Sequence, residues 1–299
     1  MPRAVARFLR FLLKYGMAPP PNPSEVSLRD FAGALVLVGA GKMGGAMLEG
    51  WLRLSLDPAR VAVIEPQPSR EIADLAARGL RVNPAIDLVR QPAAVVIAVK
   101  PQNAAEIMPW LAPIIGGPTV VLSIMAGKTL DFLAEALPTE AAIVRSMPNT
   151  PASIGRGITV AVPNRHVTPP QRELAHKLLA ATGIVEWVAD EALLDAVTAV
   201  SGSGPAYVFL LAESLAKAGA AAGLPDELAA KLARATVAGS GELLHRAALD
   251  AATLRQNVTS PGGTTAAALD VLMSDEGLDQ LMQKAVAAAT QRSRELAGS

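Results

Sequence analysis

The chain contains no cysteine among its 299 residues, and aromatic residues make up only 3% of it. Without cysteine, disulfide bonds, thiolate metal sites and cysteine nucleophiles are excluded. Charge of one sign is not in excess, since 27 basic residues balance 27 acidic ones, so no overall field would attract nucleic acid. No apolar run approaches the roughly 18 to 20 residues that a membrane span needs. We therefore expect a cytoplasmic protein with no nucleic-acid partner and no integral membrane segment.

Residues 1–33 differ from the rest of the chain. Four basic residues precede the first acidic one, Glu25, and they are Arg3, Arg7, Arg10 and Lys14. A proline-rich stretch at 19–23 then predicts an extended spacer. The arm is interpreted as a short accessory helix or frayed segment, with a membrane-surface helix or an organelle-targeting segment as alternatives.

From residue 34 to about 190, short β-branched runs alternate with helical stretches. This alternation is typical of an α/β domain with a mostly parallel sheet and crossover helices. The strands are predicted at 35–38, 60–64, 80–82, 94–99, 119–124, 142–145, 157–162 and 184–188. The helices between them are predicted at 43–53, 69–78, 103–111, 129–137 and 170–182.

Residues 191–299 contain helical patterns only, which predicts an all-α domain. Small residues are frequent in these helices, and large aromatic side chains are few. Such a domain has little core of its own, so we expect it to form a homodimer or a higher homo-oligomer.

The first predicted strand ends in a G-x-G-x-x-G turn, at residues 39–44. In a dinucleotide-binding turn Gly39 permits the tight bend, Gly41 lets the backbone approach a diphosphate, and Gly44 lets the helix pack on the strand. The motif lies between a strand and a helix, as this role requires, although a glycine-rich turn without a ligand is the alternative. We therefore expect a Rossmann domain that binds NADPH or NADH.

Glu65 ends the second strand, 21 residues after Gly44. At this place an acidic side chain accepts a hydrogen bond from a ribose 2′-hydroxyl, which favours NADH. Gln67, Ser69 and Arg70 follow closely and could serve a 2′-phosphate instead. In a third interpretation, Glu65 is a solvent-exposed loop carboxylate that binds no cofactor. The choice between NADH and NADPH therefore stays open.

A second small-residue loop, at 259–265, precedes an apolar helix. Its glycines expose backbone N–H groups and its threonines add hydroxyls, an array that suits a carboxylate. We assign a carboxylate to Ser260 and to the amides of Gly262 and Gly263, and we expect the Thr265 hydroxyl to make a catalytic hydrogen bond. The alternative is a simple helix cap by Ser260 or Thr264.

Four segments together resemble one family: Ala-Val-Lys-Pro at 98–101, Arg-Ser-Met-Pro-Asn-Thr-Pro at 145–151, Ser-Gly-Ser-Gly-Pro-Ala-Tyr at 201–207 and Val-Thr-Ser-Pro-Gly-Gly-Thr-Thr at 258–265. In order and spacing they are similar to the pyrroline-5-carboxylate reductase family. The resemblance implies a Rossmann domain followed by an α-helical dimerisation domain. It also implies that NADPH or NADH reduces a small-molecule substrate, 1-pyrroline-5-carboxylate, to L-proline.

The resemblance also implies which residues form the sites, and no metal is among the implied groups. The implied cofactor-binding residues are Val38, Gly39, Ala40, Gly41, Lys42, Met43, Gly44, Glu65, Gln67, Asn83, Ala98, Val99, Lys100, Pro101, Ile124, Met125, Ala126 and Asn257. The implied substrate-binding residues are Glu191, Ser260, Gly262, Gly263, Thr264 and Thr265. One departure is that alanine occupies positions 247 and 248, near which many members carry a glutamate.

Several residues and functions keep more than one interpretation. Lys100 either acts as a catalytic lysine or lines the nicotinamide region with its backbone, and Asn149 either turns a loop or contacts a ligand. Residues 201–204 are interpreted as a close helix contact rather than a phosphate loop, and Glu191 as a substrate contact or a helix-start carboxylate. The alternative functions are a reductase of another cyclic imine, a β-hydroxyacid-dehydrogenase-like enzyme and a non-catalytic nucleotide-binding scaffold.

Overall fold

The computed structural model describes residues 27–297, so the basic arm at residues 1–26 lies outside the described residues. The described chain forms two compact units. One comprises residues 27–205 together with 286–297, and the other comprises Ala206–Ala285.

The first unit is built on an eight-stranded sheet in the order β3-β2-β1-β4-β5-β6-β7-β8. All neighbouring strands run parallel except β6 and β7, which are antiparallel. The expected mostly parallel sheet is therefore confirmed. The strands are β1 (Leu35–Val38), β2 (Val61–Ile64), β3 (Arg81–Val82), β4 (Ala94–Ile97), β5 (Val120–Ser123), β6 (Ala142–Met147), β7 (Gly157–Pro163) and β8 (Gly183–Trp187).

Crossover helices connect these strands. They are α1 (Lys42–Arg53), α2 (Arg70–Ala76), α3 (Ala104–Leu111), α4 (Leu130–Glu135) and α5 (Pro169–Ala180). A further short helix, α6 (Leu193–Val197), follows β8, the last strand. A π-helical turn, Thr198–Gly202, follows α6. The β1 residues alternate between two cores, because successive side chains of a strand point to opposite faces. Leu35 and Leu37 pack with Trp51 of α1, whereas Val36 and Val38 pack with Met108 of α3.

The second unit is helical. Its helices are α7 (Gly204–Ala221), α8 (Asp226–Arg246), α9 (Ala251–Asn257) and α10 (Thr264–Leu272), and α11 (Leu278–Ala297) begins in it. Among the described hydrophobic residues of this unit, Ala229 and Ala233 are the buried ones. The helical content is as expected, and large side chains such as Phe209, Leu210 and Val271 are exposed.

The stretch Leu193–Ala221 bears on the expectation that the chain has no integral membrane segment. By length and composition alone, these 29 helical residues are apolar enough to cross a membrane. Only 11% of the most apolar window is buried. One such helix is weak evidence for a membrane span, because an apolar helix that packs against protein has the same composition.

Candidate active site

The glycine-rich turn joins β1 to α1, and its first glycine is sterically required. Gly39 has a φ of +87°, and a Cβ there would lie 2.7 Å from the carbonyl oxygen of Ala98. A side chain would therefore collide with the backbone that follows β4, and only glycine adopts this conformation readily. Gly39 keeps the turn tight against the neighbouring strand.

The other two glycines of the turn serve different purposes. A Cβ on Gly44 would collide with the carbonyl oxygen of Gly39, so α1 packs directly on the turn. A Cβ on Gly41 would meet nothing within 4 Å, and Gly41 is the N-cap of α1 without a side-chain cap. The first N–H groups of a 12-residue helix are thus left for an outside acceptor. This cradle fits the diphosphate of a dinucleotide.

A cavity of about 810 Å³ opens beside this turn at the carboxyl ends of the strands. Its volume lies within the range of small-molecule and cofactor sites. The expected cofactor residues that line it are Val38, Gly39, Gly41, Glu65, Gln67, Ala98, Val99 and Lys100. They come from three separate strand ends, which the parallel β2-β1-β4 order brings together.

One wall of this cavity was missed by the sequence analysis. It is formed by Asn103, Glu106, Ile107 and Trp110, at the N-cap and along α3. These positions follow the spacing i, i+3, i+4 and i+7, so they share one face of the helix. That spacing, with one of only three tryptophans at its end, is the signal that could have identified this wall.

Glu65 is fixed at the edge of the cavity by its neighbours. Its carboxylate accepts from the backbone N–H of Ala40, with Oε2 at 2.9 Å, and from that of Gln67, with Oε1 at 3.1 Å. Its backbone is held by the side chain of Asn83, which accepts from the Glu65 N–H at 2.8 Å and donates to the Glu65 carbonyl at 2.9 Å. Asn83 itself adopts a left-handed φ of +48°.

A second cavity, of about 510 Å³, borders the glycine turn, α1 and the start of α2, and shares Gly41, Glu65 and Gln67 with the first. The expected cofactor residues Ala40 and Lys42 line it. It is also bordered by Glu71, whose pKa is lowered from its ordinary value by a hydrogen bond from the Ser69 hydroxyl.

The remaining expected cofactor residues lie outside the linings of both described cavities. Met43 and Gly44 are in the first turn of α1, Pro101 follows β4, and Asn257 ends α9 in the helical unit. Ile124, Met125 and Ala126 follow β5, where the Met125 N–H donates to the hydroxyl of Ser123 at 3.3 Å.

Glu191 is engaged by two groups of the sheet unit. Its Oε1 accepts from Arg145 at 2.6 Å and from the backbone N–H of Leu130, the first residue of α4, at 2.8 Å. The Arg145 side chain is only 7% exposed, so the ion pair is largely shielded from solvent. Glu191 is thus a helix-start carboxylate, but at the start of α4 rather than of its own helix.

The loop at 260–265 lies in the helical unit and leads into α10. Gly262 has a φ of +69°, and the Gly263 N–H donates to the carbonyl of Ser260 at 3.0 Å. The N-cap of α10 is Gly263, without a side-chain cap. The alternative in which Ser260 or Thr264 caps the helix is therefore wrong. The first-turn amides remain for an anion, next to an exposed Thr264 and a half-buried Thr265.

The contacts favour one of the two interpretations for Asn149 and for residues 201–204, whereas both interpretations of Lys100 stay open. Asn149 turns a loop, since its Oδ1 accepts from the N–H of Ile158 at 3.0 Å. Gly202 makes a close contact, because a Cβ there would lie 2.6 Å from the Met147 side chain. Lys100 is exposed and borders the first cavity.

The mostly parallel sheet, the glycine cradle and the adjoining cavity define a dinucleotide-binding oxidoreductase. Residues 34–127 match the family model for NADP oxidoreductase coenzyme F420-dependent, and residues 191–296 match that for pyrroline-5-carboxylate reductase dimerisation. The chain is 36% identical over 266 residues to the pyrroline-5-carboxylate reductase of Pseudomonas aeruginosa, covering 88% of this chain and 96% of that protein. The chain belongs to the pyrroline-5-carboxylate reductase family.

Solved structures agree with this assignment. The pyrroline-5-carboxylate reductase of Coxiella burnetii superposes with a TM-score of 0.82 at 33% identity, over 88% of this chain and 98% of that one. The pyrroline carboxylate reductase of Plasmodium falciparum, solved with NADP bound, gives a TM-score of 0.74 at 29% identity, over 89% of this chain and 98% of that one.

Proposed function

We propose that this chain reduces 1-pyrroline-5-carboxylate to L-proline with NADPH or NADH, the last step of proline biosynthesis. The observation that carries the proposal is the pairing, within one chain of this family, of a dinucleotide cradle at Gly39–Gly44 with an uncapped, glycine-rich helix start at residues 260–265. The first suits a diphosphate and the second suits a carboxylate.

The reaction makes modest demands on the protein. The bound nicotinamide supplies a hydride for the carbon of the C=N bond. The substrate is a cyclic imine that is basic enough to be partly protonated near neutral pH, so a strong general acid is not obligatory. The protein must grip the carboxylate, orient the ring and stabilise the nitrogen that becomes an amine.

We assign these tasks to the loop before α10. The amides of Gly262 and Gly263, with the Ser260 hydroxyl and Thr264, hold the substrate carboxylate. The Thr265 hydroxyl makes a hydrogen bond to the ring nitrogen, which makes Thr265 the catalytic residue of the proposal. Glu191 remains a proposed substrate contact, and its bonds to Arg145 and Leu130 fix the orientation from which it would act.

The cofactor residues of the proposal are those named from the resemblance. The lining of the first cavity supports Val38, Gly39, Gly41, Glu65, Gln67, Ala98, Val99 and Lys100. The second cavity supports Ala40 and Lys42. Met43, Gly44, Asn83, Pro101, Ile124, Met125, Ala126 and Asn257 rest on the resemblance alone, and the two side-chain bonds of Asn83 to Glu65 give it a structural role besides.

The assembly and location also belong to the proposal. The dimerisation family model at residues 191–296 supports a homo-oligomer, and we propose that α7 to α11 form its interface. The start of that model at residue 191 supports a domain boundary after residue 190, while residues 191–205 cluster with the sheet unit. A cytoplasmic location completes the proposal, and cell fractionation tests it.

Replacing Thr265 tests the assignment of the catalytic hydroxyl. Thr265→Ala should lower kcat for pyrroline-5-carboxylate about 10- to 100-fold, the effect of one hydrogen bond of about 1.5–3 kcal/mol in the transition state, and leave cofactor affinity unchanged. Thr265→Ser keeps the hydroxyl and should retain most of the activity. Unchanged turnover in Thr265→Ala would remove the role. A wild-type enzyme that reduces only a different cyclic imine, or nothing, would overturn the function itself.

A further inference from the structure

Glu65 is the most firmly held acidic side chain at the cofactor cavities. Two backbone N–H groups, those of Ala40 and Gln67, bind its two carboxylate oxygens. Asn83 clamps its backbone from the end of the neighbouring strand with two further hydrogen bonds. The carboxylate therefore cannot swing away from the cavity edge without breaking these contacts.

The carboxylate retains capacity to accept more hydrogen bonds. A carboxylate offers about four acceptor positions, and the two N–H groups take about two of them. Glu65 lines both the large cavity and the smaller one, so its remaining positions border the space between the glycine turn and the residues after β2. Two vicinal hydroxyls of a ribose match such an acceptor, since each hydroxyl donates one hydrogen bond.

A ribose 2′-phosphate would meet a different environment. Within residues 27–297, no arginine lines either cavity, and each cavity contains one lysine, Lys100 or Lys42. Opposing them are the carboxylates of Glu65 and Glu106 in the large cavity and of Glu49, Glu65 and Glu71 in the smaller one. Like charges disfavour the phosphate by an amount that grows as solvent is excluded.

Of the residues after β2 that could have offered a phosphate site, Ser69 borders the smaller cavity but caps a helix, and Arg70 lies outside the linings of both cavities. The Ser69 hydroxyl accepts from the Ile72 N–H and caps α2. Arg70 is exposed and lies 3.9 Å from the carboxylate of Asp74 on the same helix. Neither contact directs these side chains to a ligand.

We propose that Glu65 makes this enzyme select NADH over NADPH. The inference deepens the proposed function, on whose cofactor class it rests. It separates this chain from its Plasmodium falciparum relative, which was solved with NADP bound. The selecting group is a carboxylate fixed by the glycine turn on one side and by Asn83 on the other.

Binding without substrate tests the proposal directly. Isothermal titration of the full-length enzyme with NADH and with NADPH should give a dissociation constant at least about tenfold lower for NADH. Glu65→Gln, which removes the charge and keeps the shape, should bring the two constants within about threefold of each other, mainly by tightening NADPH. Glu106→Gln, which removes a carboxylate from the same cavity, should keep the wild-type preference.

A third variant covers the case in which Glu65→Gln does not fold. Gln67 is exposed and contacts Glu65 through its backbone, so Gln67→Arg leaves the clamp intact while adding a guanidinium. It should tighten NADPH at least about fivefold relative to NADH.

Several outcomes would overturn the proposal. Wild-type enzyme that binds NADPH as tightly as NADH excludes it, and so does a preference that survives in Glu65→Gln. Equal shifts in Glu65→Gln and Glu106→Gln would show a general charge effect rather than selection by Glu65. A Gln67→Arg variant without any gain for NADPH would place the 2′-phosphate elsewhere. None of these titrations contains an imine, so their results do not depend on whether the enzyme catalyses the proposed reaction.

Discussion

The two compact units of this chain differ in how they bury apolar surface. In the sheet unit, β1, β4 and β5 are buried along their whole length, and helices cover both faces. In the helical unit, the described hydrophobic core consists of Ala229 and Ala233, while Phe209 is 69% exposed. The first unit completes its own core. The second presents its large apolar side chains outward, where another surface has to cover them.

This difference separates two sources of stability. A unit with its own core is stabilised by contacts within one chain, so its unfolding does not depend on protein concentration. A unit whose apolar face is covered by a second chain is stabilised by association, and its apparent stability rises with concentration. The match of residues 191–296 to a dimerisation family model agrees with the second case.

The largest effect is expected in the sheet unit. Leu122 in β5 is fully buried, so Leu122→Ala should lower the free energy of unfolding by about 2–5 kcal/mol at every protein concentration. Leu88→Ala, at a position that is 70% exposed in the same unit, should change it by less than about 0.5 kcal/mol. Urea unfolding at two protein concentrations measures both, and a concentration-dependent loss for Leu122→Ala would contradict the distinction.

A charge on the helical unit should act on association instead. Phe209→Glu in α7 should raise the dissociation constant of the homo-oligomer by at least about 30-fold, the effect of losing an interface anchor of about 2 kcal/mol. Ile184→Glu in β8, where the isoleucine is 57% exposed, is the matched change in the sheet unit and should leave the assembly intact. Sedimentation velocity measures the oligomeric state of both variants. An assembly that dissociates in Ile184→Glu but not in Phe209→Glu would contradict the assignment of the interface to the helical unit.

The smallest effect concerns the cap of α9 in the helical unit. The Thr253 N–H donates to Asp250 at 2.7 Å, and this bond lowers the pKa of Asp250 below its ordinary 3.8. A lowered folded-state pKa stabilises the protein above pH 3.8, and this contribution is lost as the pH falls below that value. Asp250→Asn keeps the cap without the titration.

We therefore expect the stability difference between wild type and Asp250→Asn to be constant above about pH 5 and to shift toward the variant as the pH falls below 4. Urea unfolding across this range measures it. A difference that does not change with pH would show that Asp250 makes no charge-dependent contribution in the helical unit.

The fold was largely predictable because its signals are local. Apolar runs such as the one in β4 identify buried strands, and the Gly39–Gly44 spacing identifies the cofactor turn from six adjacent residues. The bond between Glu65 and the Ala40 N–H was not predictable, because it joins positions 25 residues apart. The same holds for Glu191, whose partner Arg145 lies 46 residues away.

The reversal between β6 and β7 and the α3 wall of the cavity have other causes. The antiparallel pairing depends on how residues 148–156 turn, and that turn contains no distinctive two-residue hairpin signal. The α3 wall could have been recognised from its helical spacing, but which face of a helix borders a cavity depends on the packing of the opposite face. Met108 and Leu111 take the buried face and leave Trp110 at the cavity.

Contacts at the C-terminal end of α1 affect the glycine turn at its N-terminal end. The Trp51 indole donates to the carbonyl of Leu178 at 2.8 Å, and a Cβ on Gly50 would lie 2.6 Å from the carbonyl oxygen of Ala181. Because a helix rises 1.5 Å per residue, these anchors sit roughly 14 Å along the axis from Gly41. These two contacts fix the position of α1 along its own axis. The position of the diphosphate cradle at the start of α1 therefore depends on packing more than two helical turns away from it.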